Sequence, residues 1–96
     1  MTTVEFHRIS KAVADPRRMD LLERISSRPE TACSMLLEGS DVSQPTLSHH
    51  LKELSSAGLI TSRWEAKFCF YRLNRKLWRE YLAEMRRRVP VSNREK

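Results

Sequence analysis

The stretch VSQPTLSHHLKELSSAGLI, from Val42 to Ile60, carries the signals of one helix with a sharp start and a sharp end. Ser43 is a good N-cap because its hydroxyl can accept a hydrogen bond from an amide of the first turn, where Pro45 is tolerated. Gly58 is a suitable terminator, since glycine readily adopts the left-handed conformation that follows a last helical turn. The stretch therefore predicts a helix that ends within the segment SSAG.

At about 100° per residue, this helix has two unlike faces. Leu47, Leu51 and Leu54 share the face that must lie against a core. The opposite face is polar, and an exposed polar helix can bond the base edges and phosphates of DNA, although an ordinary solvated face is the alternative. The DNA-binding residues predicted on this helix are Ser43, Gln44, Thr46, Ser48, His49 and Lys52.

The adjacent histidines of this helix do not form a metal site. Neighbouring side chains on a helix point about 100° apart, whereas a helical zinc pair requires a spacing of three or four residues. His49 therefore belongs to the polar face. His50 lies toward the rim of the core face, where we expect a half-buried ring that makes one hydrogen bond.

Three shorter helical patterns precede the long helix. A loose apolar pattern from Val4 to Ala14 is followed by Asp15 and Pro16, which are favourable as the N-cap and first residue of a second helix. The segment TACSMLLEG reads as a short third helix, closed by Gly39 in the left-handed conformation. A tight turn then joins this short helix to the long one.

A β-hairpin and a last helix follow the long helix. LITSRW and FCFYRL are rich in β-branched and aromatic residues and are separated by three residues around Ala66, which is a hairpin pattern. Asn74 can cap a final helix that Pro90 terminates, and residues 90–96 are expected to fray. The chain is thus predicted to be mainly α with a β-hairpin wing, a winged helix-turn-helix formed as a single domain of residues 1–96.

Composition agrees with a basic, foldable domain. The 96 residues include 18 Lys and Arg against 12 Asp and Glu, a net charge of +6, with 40% hydrophobic residues. Such a charge favours nucleic acid first and an anionic membrane surface second. No apolar run of about 18 residues and no signal core occur, so we expect a soluble, cytoplasmic protein without membrane contact. We expect no enzyme, because no Gly-rich phosphate loop exists and no carboxylate is placed to orient a base.

Three motifs resemble the ArsR/SmtB family of dimeric bacterial transcriptional repressors. ADPRRMDLLERI is similar to the opening helix of that family, VSQPTLSHHLKELSSAGLI to its helix-turn-helix, and SRWEAKFCFYRLN to its wing, so that the resemblance covers residues 5 to 85. It implies a homodimer that binds double-stranded DNA at an inverted-repeat operator. It also implies a small effector, here unknown, that weakens DNA binding.

The chain departs from the family pattern at several positions. Where the family more often has an arginine and a wing glycine, this chain has His49 and Ala66. The family's metal sensors resemble one another in a cysteine cluster at the short helix and a His and Asp set on the last helix. Only Cys33 remains of these, so no metal site and no cofactor are expected, apart from a composite site of Cys33 with a partner-chain residue such as His7.

The hairpin and the two cysteines leave alternatives open. Arg63, Lys67 and Arg72 are predicted to hold phosphates, or to be ordinary surface cations. Cys33 and Cys69 are expected to be buried small hydrophobes, and thiol sensing through this pair is the alternative.

The first and last helices carry apolar faces beyond what a small core needs, which predicts a dimer interface. The polar face of the long helix argues against the alternative of a winged-helix module for protein–protein contact, since interface centres tend to be apolar and aromatic. The residues predicted in the dimer interface are Phe6, Ile9, Val13, Trp78, Tyr81, Leu82 and Met85.

Overall fold

The computed structural model describes residues 1–91, which form five α-helices and a small three-stranded sheet. In chain order the elements are α1 (Thr3–Val13), α2 (Pro16–Ser26), β1 (Thr31–Ala32), α3 (Cys33–Glu38), α4 (Gln44–Ser56), β2 (Ile60–Glu65), β3 (Phe68–Leu73) and α5 (Arg75–Arg88). The predicted winged helix-turn-helix order is confirmed. Most of the tail expected to fray, residues 92–96, lies outside the described residues.

The three predicted N-caps are confirmed. Asp15 accepts hydrogen bonds from the first-turn amides of α2, and Ser43 accepts one from the amide of Thr46 at 3.4 Å. Asn74 accepts from the amide of Leu77 at 3.1 Å and donates to the carbonyl oxygen of Gly58 at 3.0 Å. Because Asn74 bonds both ways, the start of α5 is fastened to the end of α4.

The sheet has the strand order β1-β3-β2, and both strand pairs are antiparallel. β2 and β3 form the predicted hairpin, in register from Ile60 opposite Leu73 to Glu65 opposite Phe68. β1 was not predicted, since two residues carry no readable periodicity. Its pairing of Thr31 with Tyr71 connects the segment before α3 directly to the wing.

The core lies between α1, α2, α4 and the base of the hairpin. Leu47, Leu51 and Leu54 are at most 3% exposed, which confirms the predicted inward face of α4. Each buried leucine contributes about 1.5 to 3 kcal/mol relative to an exposed one. The side chains with the deepest burial are Ile9, Ile25, Leu36, Leu47, Leu54 and Leu59.

The two glycines have different structural roles. Gly58 has a φ of 80°, and the amide after it, of Leu59, donates to the carbonyl oxygen of Leu54 at 3.1 Å, which confirms the predicted helix end. The prediction for Gly39 was wrong, because its φ is −85°. A side chain at Gly39 would instead collide with the guanidinium of Arg24, which donates to the carbonyl oxygens of Met35 and Leu36 in α3.

The wing turn holds an alanine in a conformation that favours glycine, since Ala66 has a φ of 54°.

We expect Ala66→Gly to raise the free energy of unfolding by about 0.5 to 1 kcal/mol, because relief of the left-handed strain exceeds the entropic cost of glycine. Urea denaturation measures the change. Lys67→Gly, in the same turn but without a positive φ, is the control and should lower stability; a destabilised Ala66→Gly variant would contradict the expectation.

Candidate nucleic-acid interface

The exposed face of α4 carries most of the predicted DNA-binding residues. Gln44, Ser48, His49 and Lys52 are all exposed, while the leucines of the opposite face hold the helix against the core. The first turn of α4 contains no acidic side chain. Its helix dipole therefore presents a partial positive charge that favours phosphate, with side chains around it that can donate and accept hydrogen bonds.

Two of the predicted contacts are occupied by the helix cap. The hydroxyl oxygens of Ser43 and Thr46 lie 3.0 Å apart, and the Ser43 oxygen also accepts from the Thr46 amide. Thr46 is half-buried. These two hydroxyls bond each other at the start of the helix, whereas Gln44, Ser48, His49 and Lys52 are exposed residues of α4 outside the cap.

His50 is more buried than expected, with 7% of its surface exposed. The expectation of one hydrogen bond was wrong, because neither ring nitrogen has a hydrogen-bond partner among residues 1–91. The ring lines a cavity between α2 and the turn before α4, together with Pro16 and Leu47. The His50 ring therefore lies on the buried side of α4, and its centroid is 5.8 Å from that of the exposed His49 ring.

Arg63 is exposed, but its guanidinium is engaged in ion pairs within the protein. Its guanidinium donates to both carboxylate oxygens of Glu30 at 2.7 Å and to Glu65 at 3.1 Å, and it covers the ring of Phe70 at 4.7 Å. The hydrogen bonds from Arg63 hold the pKa of the Glu30 carboxyl below its usual range. Arg63 thus fastens the wing to the segment before β1, and it is not placed as a free phosphate ligand.

The other wing cations are exposed, and the wing tip also carries aromatic residues that sequence reasoning did not select. Lys67 lies at the turn, with its amine 5.7 Å from the ring of Phe68, and Arg72 is exposed on β3. Trp64 and Phe68 are 68% and 56% exposed. The sequence predicted an aromatic-rich hairpin. Which of its aromatic side chains are exposed depends on how the sheet packs on the core, and the sequence does not show this packing.

The predicted dimer residues divide into buried and exposed groups. Ile9 and Tyr81 are 1% and 2% exposed inside the single chain, where the Tyr81 hydroxyl lies 2.8 Å from that of Ser10, so both belong to the core. Leu82 and Met85 remain 47% and 44% exposed. Phe6, Val13 and Trp78 are half-buried.

An apolar groove lies between α1 and the end of α5, lined chiefly by Phe6, Leu82, Met85 and Val89. Arg88 closes one side of it, with its guanidinium 4.3 Å from the ring of Phe6. Arg87 and Arg88 donate to Glu84, and these hydrogen bonds lower the pKa of the Glu84 carboxyl to about 2. Glu84 therefore offsets part of the positive charge at the end of α5. The apolar groove is the other distinctive feature of this surface.

Comparison with known proteins connects this geometry to a family. A family model described as a helix-turn-helix domain matches residues 13–63. The chain is also 40% identical, over 74 residues, to the arsenical resistance operon repressor of Staphylococcus xylosus, covering 77% of this chain and 70% of that protein. This chain belongs to the ArsR family. It is accordingly a DNA-binding transcriptional regulator and not an enzyme.

Solved structures share the ArsR-family fold. An ArsR-like transcriptional regulator from Rhodococcus superposes with a TM-score of 0.78 at 22% identity, covering 90% of this chain and 79% of that one. The homodimeric winged helix-turn-helix DNA-binding domain of a Mycobacterium bovis protein superposes with a TM-score of 0.72 at 26% identity, covering 84% and 75%. Within residues 1–91, no helix is long and apolar enough to cross a membrane.

The side chains that hold metals in proteins are scattered in this ArsR-family chain. Across the described residues, no three or more His, Cys, Asp and Glu side chains converge as a ligand set. Of the two cysteines expected to be buried, Cys69 is buried and Cys33 is only half-buried.

Proposed function

We propose that this ArsR-family chain is a homodimeric repressor that binds an inverted-repeat operator and is released by an effector. The observation that carries the proposal is the exposed polar face of α4, with Gln44, Ser48, His49 and Lys52 displayed by a rigid, buried leucine face. Side chains of this kind can bond base edges in the major groove, where each base pair offers a distinct donor and acceptor pattern.

The dimer is supported by the groove between α1 and α5. Exposed Leu82, Met85 and Val89 are adjacent to half-buried Phe6, and a small domain gains stability when such a surface is covered. A two-fold dimer presents two copies of α4 to two half-sites one turn of DNA apart, which requires an operator with matching symmetry. A protein of this fold from Mycobacterium bovis is itself a homodimer.

Binding to DNA tests the proposal directly. The full chain is titrated into fluorescent duplexes that carry the region upstream of its own gene or a scrambled version, over a series of salt concentrations. We expect affinity for the upstream duplex to exceed that for scrambled DNA by at least about a thousandfold. Equal affinity for the two duplexes, or none for either, would overturn the proposal.

The exposed aromatic residues of the wing tip favour a second candidate, a protein–protein interaction module. Trp64 and Phe68 are the type of residue that anchors protein interfaces. Replacing both with alanine separates the two functions. Weaker binding to operator DNA assigns the wing tip to DNA, whereas unchanged DNA binding with loss of a protein partner assigns it to that partner.

A further inference from the structure

The short strand β1 places the two cysteines on facing positions. In the antiparallel pair of β1 with β3, Thr31 lies opposite Tyr71 and Ala32 opposite Phe70. Ala32 still has an extended backbone, with φ −69° and ψ 141°, so the chain continues past Phe70 and places the next residue, Cys33 at the start of α3, near Cys69. Since side chains alternate along a strand, Cys69 lies on the same face of β3 as Tyr71.

The contacts around the thiols agree with this register. α3 packs against β3, and the pKa of the Tyr71 phenol is raised by burial and by the neighbouring thiols of Cys69 and Cys33. Burial raises the pKa of the Cys33 thiol, and the nearby sulfur of Cys69 raises it further. Residues directly opposite in an antiparallel pair have Cβ atoms about 4.5 to 5.5 Å apart, and a disulfide needs about 3.5 to 4.5 Å, so a small local movement closes the bond.

We propose that Cys33 and Cys69 form an intramolecular disulfide when the protein meets a hydroperoxide. The Cys33 thiolate, on the more accessible side chain, attacks the peroxide oxygen, which breaks the O–O bond and leaves a sulfenic acid on Cys33 and an alcohol or water. The Cys69 sulfur then attacks the sulfenic sulfur and displaces water. Two thiols are oxidised, one hydroperoxide is reduced, and the products are the disulfide, the alcohol and water.

The disulfide links the short helix that precedes α4 to a strand of the wing. Cys33 begins α3, the helix before α4, and Cys69 lies in β3, which follows the wing turn. A sulfur–sulfur bond of about 2.05 Å is much shorter than the contact of two thiols, so its formation draws the start of α3 toward the wing. Because only a short turn separates α3 from α4, the oxidised protein has a lower operator affinity. This second consequence rests on the proposed function, whereas the cross-link itself does not.

Intact mass measurement tests the cross-link. The reduced full chain is treated with hydrogen peroxide at mildly alkaline pH, where the high-pKa thiol of Cys33 is more often ionised. We expect a mass loss of about 2 Da, reversed by dithiothreitol, and one peptide that joins the two cysteines. Cys33→Ser and Cys69→Ser each remove the loss. Sulfinic or sulfonic acid without a cross-link in the wild-type chain, or a disulfide between two chains, would refute the pairing.

Operator binding by the same samples tests the consequence. We expect the oxidised wild-type protein to bind at least about tenfold more weakly than the reduced protein, a difference of roughly 1.4 kcal/mol. Cys69→Ser treated in the same way should keep its affinity. A complete cross-link with unchanged affinity would overturn the regulatory consequence, and failure of the reduced protein to bind would count against the proposed function instead.

Discussion

Replacing Gln44, Ser48 and His49 together with alanine is expected to lower operator affinity by at least about a hundredfold, roughly 2.7 kcal/mol. These side chains are exposed on α4 and make no side-chain hydrogen bond to the rest of residues 1–91. Each lost base contact costs about 1 to 3 kcal/mol, and a dimer loses every contact twice. The free energy of unfolding should change by no more than about 0.5 kcal/mol, because exposed substitutions away from caps and core have small effects.

Titration of operator DNA by fluorescence anisotropy measures the loss, and urea denaturation measures stability. Ser55→Ala with Ser56→Ala is the matched control, since both serines are exposed at the other end of α4. The control should bind like the wild-type protein. An unchanged affinity of the triple variant would show that α4 does not contact the bases. An equal loss in the control would show that any change in this helix weakens binding.

Introducing Leu82→Lys together with Met85→Lys is expected to weaken dimerisation by roughly a thousandfold, since each buried apolar side chain contributes about 1.5 to 3 kcal/mol. Both residues are exposed in the groove of the single chain, so the substitutions leave the core intact. Operator affinity should fall with the dimer, even though the added positive charge by itself attracts DNA. Because lysine attracts DNA, a lower operator affinity of this variant cannot be caused by repulsion between the new charges and DNA. It must be caused by loss of the dimer.

Sedimentation velocity at several concentrations reports the assembly state. Glu80→Lys is the control, because it changes the charge by the same amount from an exposed position elsewhere on α5. We expect the control to remain dimeric with unchanged or higher DNA affinity. A double-lysine variant that stays dimeric would show that the groove is not the interface.

The helix-turn-helix was predictable because its signals are local. A cap at Ser43, three leucines at helical spacing and a left-handed Gly58 each act within one or two turns, and all agree. The structure confirms their positions. Gly39 looked like a similar terminator, but the residue that explains it, Arg24, is on another helix and is not visible in a local pattern.

The site was less predictable, because it depends on pairings distant in sequence. The sequence predicts Arg63 as a free cation of the wing. The structure places it 2.7 Å from Glu30, which is 33 residues earlier in the chain. In the sequence, Ile9 and Tyr81 cannot be told apart from the apolar residues of α1 and α5 that are exposed. Only the packing of the helices shows that these two side chains face the core. The two-residue strand β1, which brings Cys33 to Cys69, carries no periodic signal at all.

The ion pairs of Arg63 also limit how strongly the wing responds to ionic conditions. Of the three basic residues on the hairpin, one is already neutralised by Glu30 and Glu65, which leaves Lys67 and Arg72. Two such side chains per subunit can displace at most roughly four counterions per dimer from the DNA, a contribution of about −3.6 to the slope of log affinity against log salt. If the measured slope of log affinity against log salt concentration is steeper than this, the additional phosphate contacts must come from the helices.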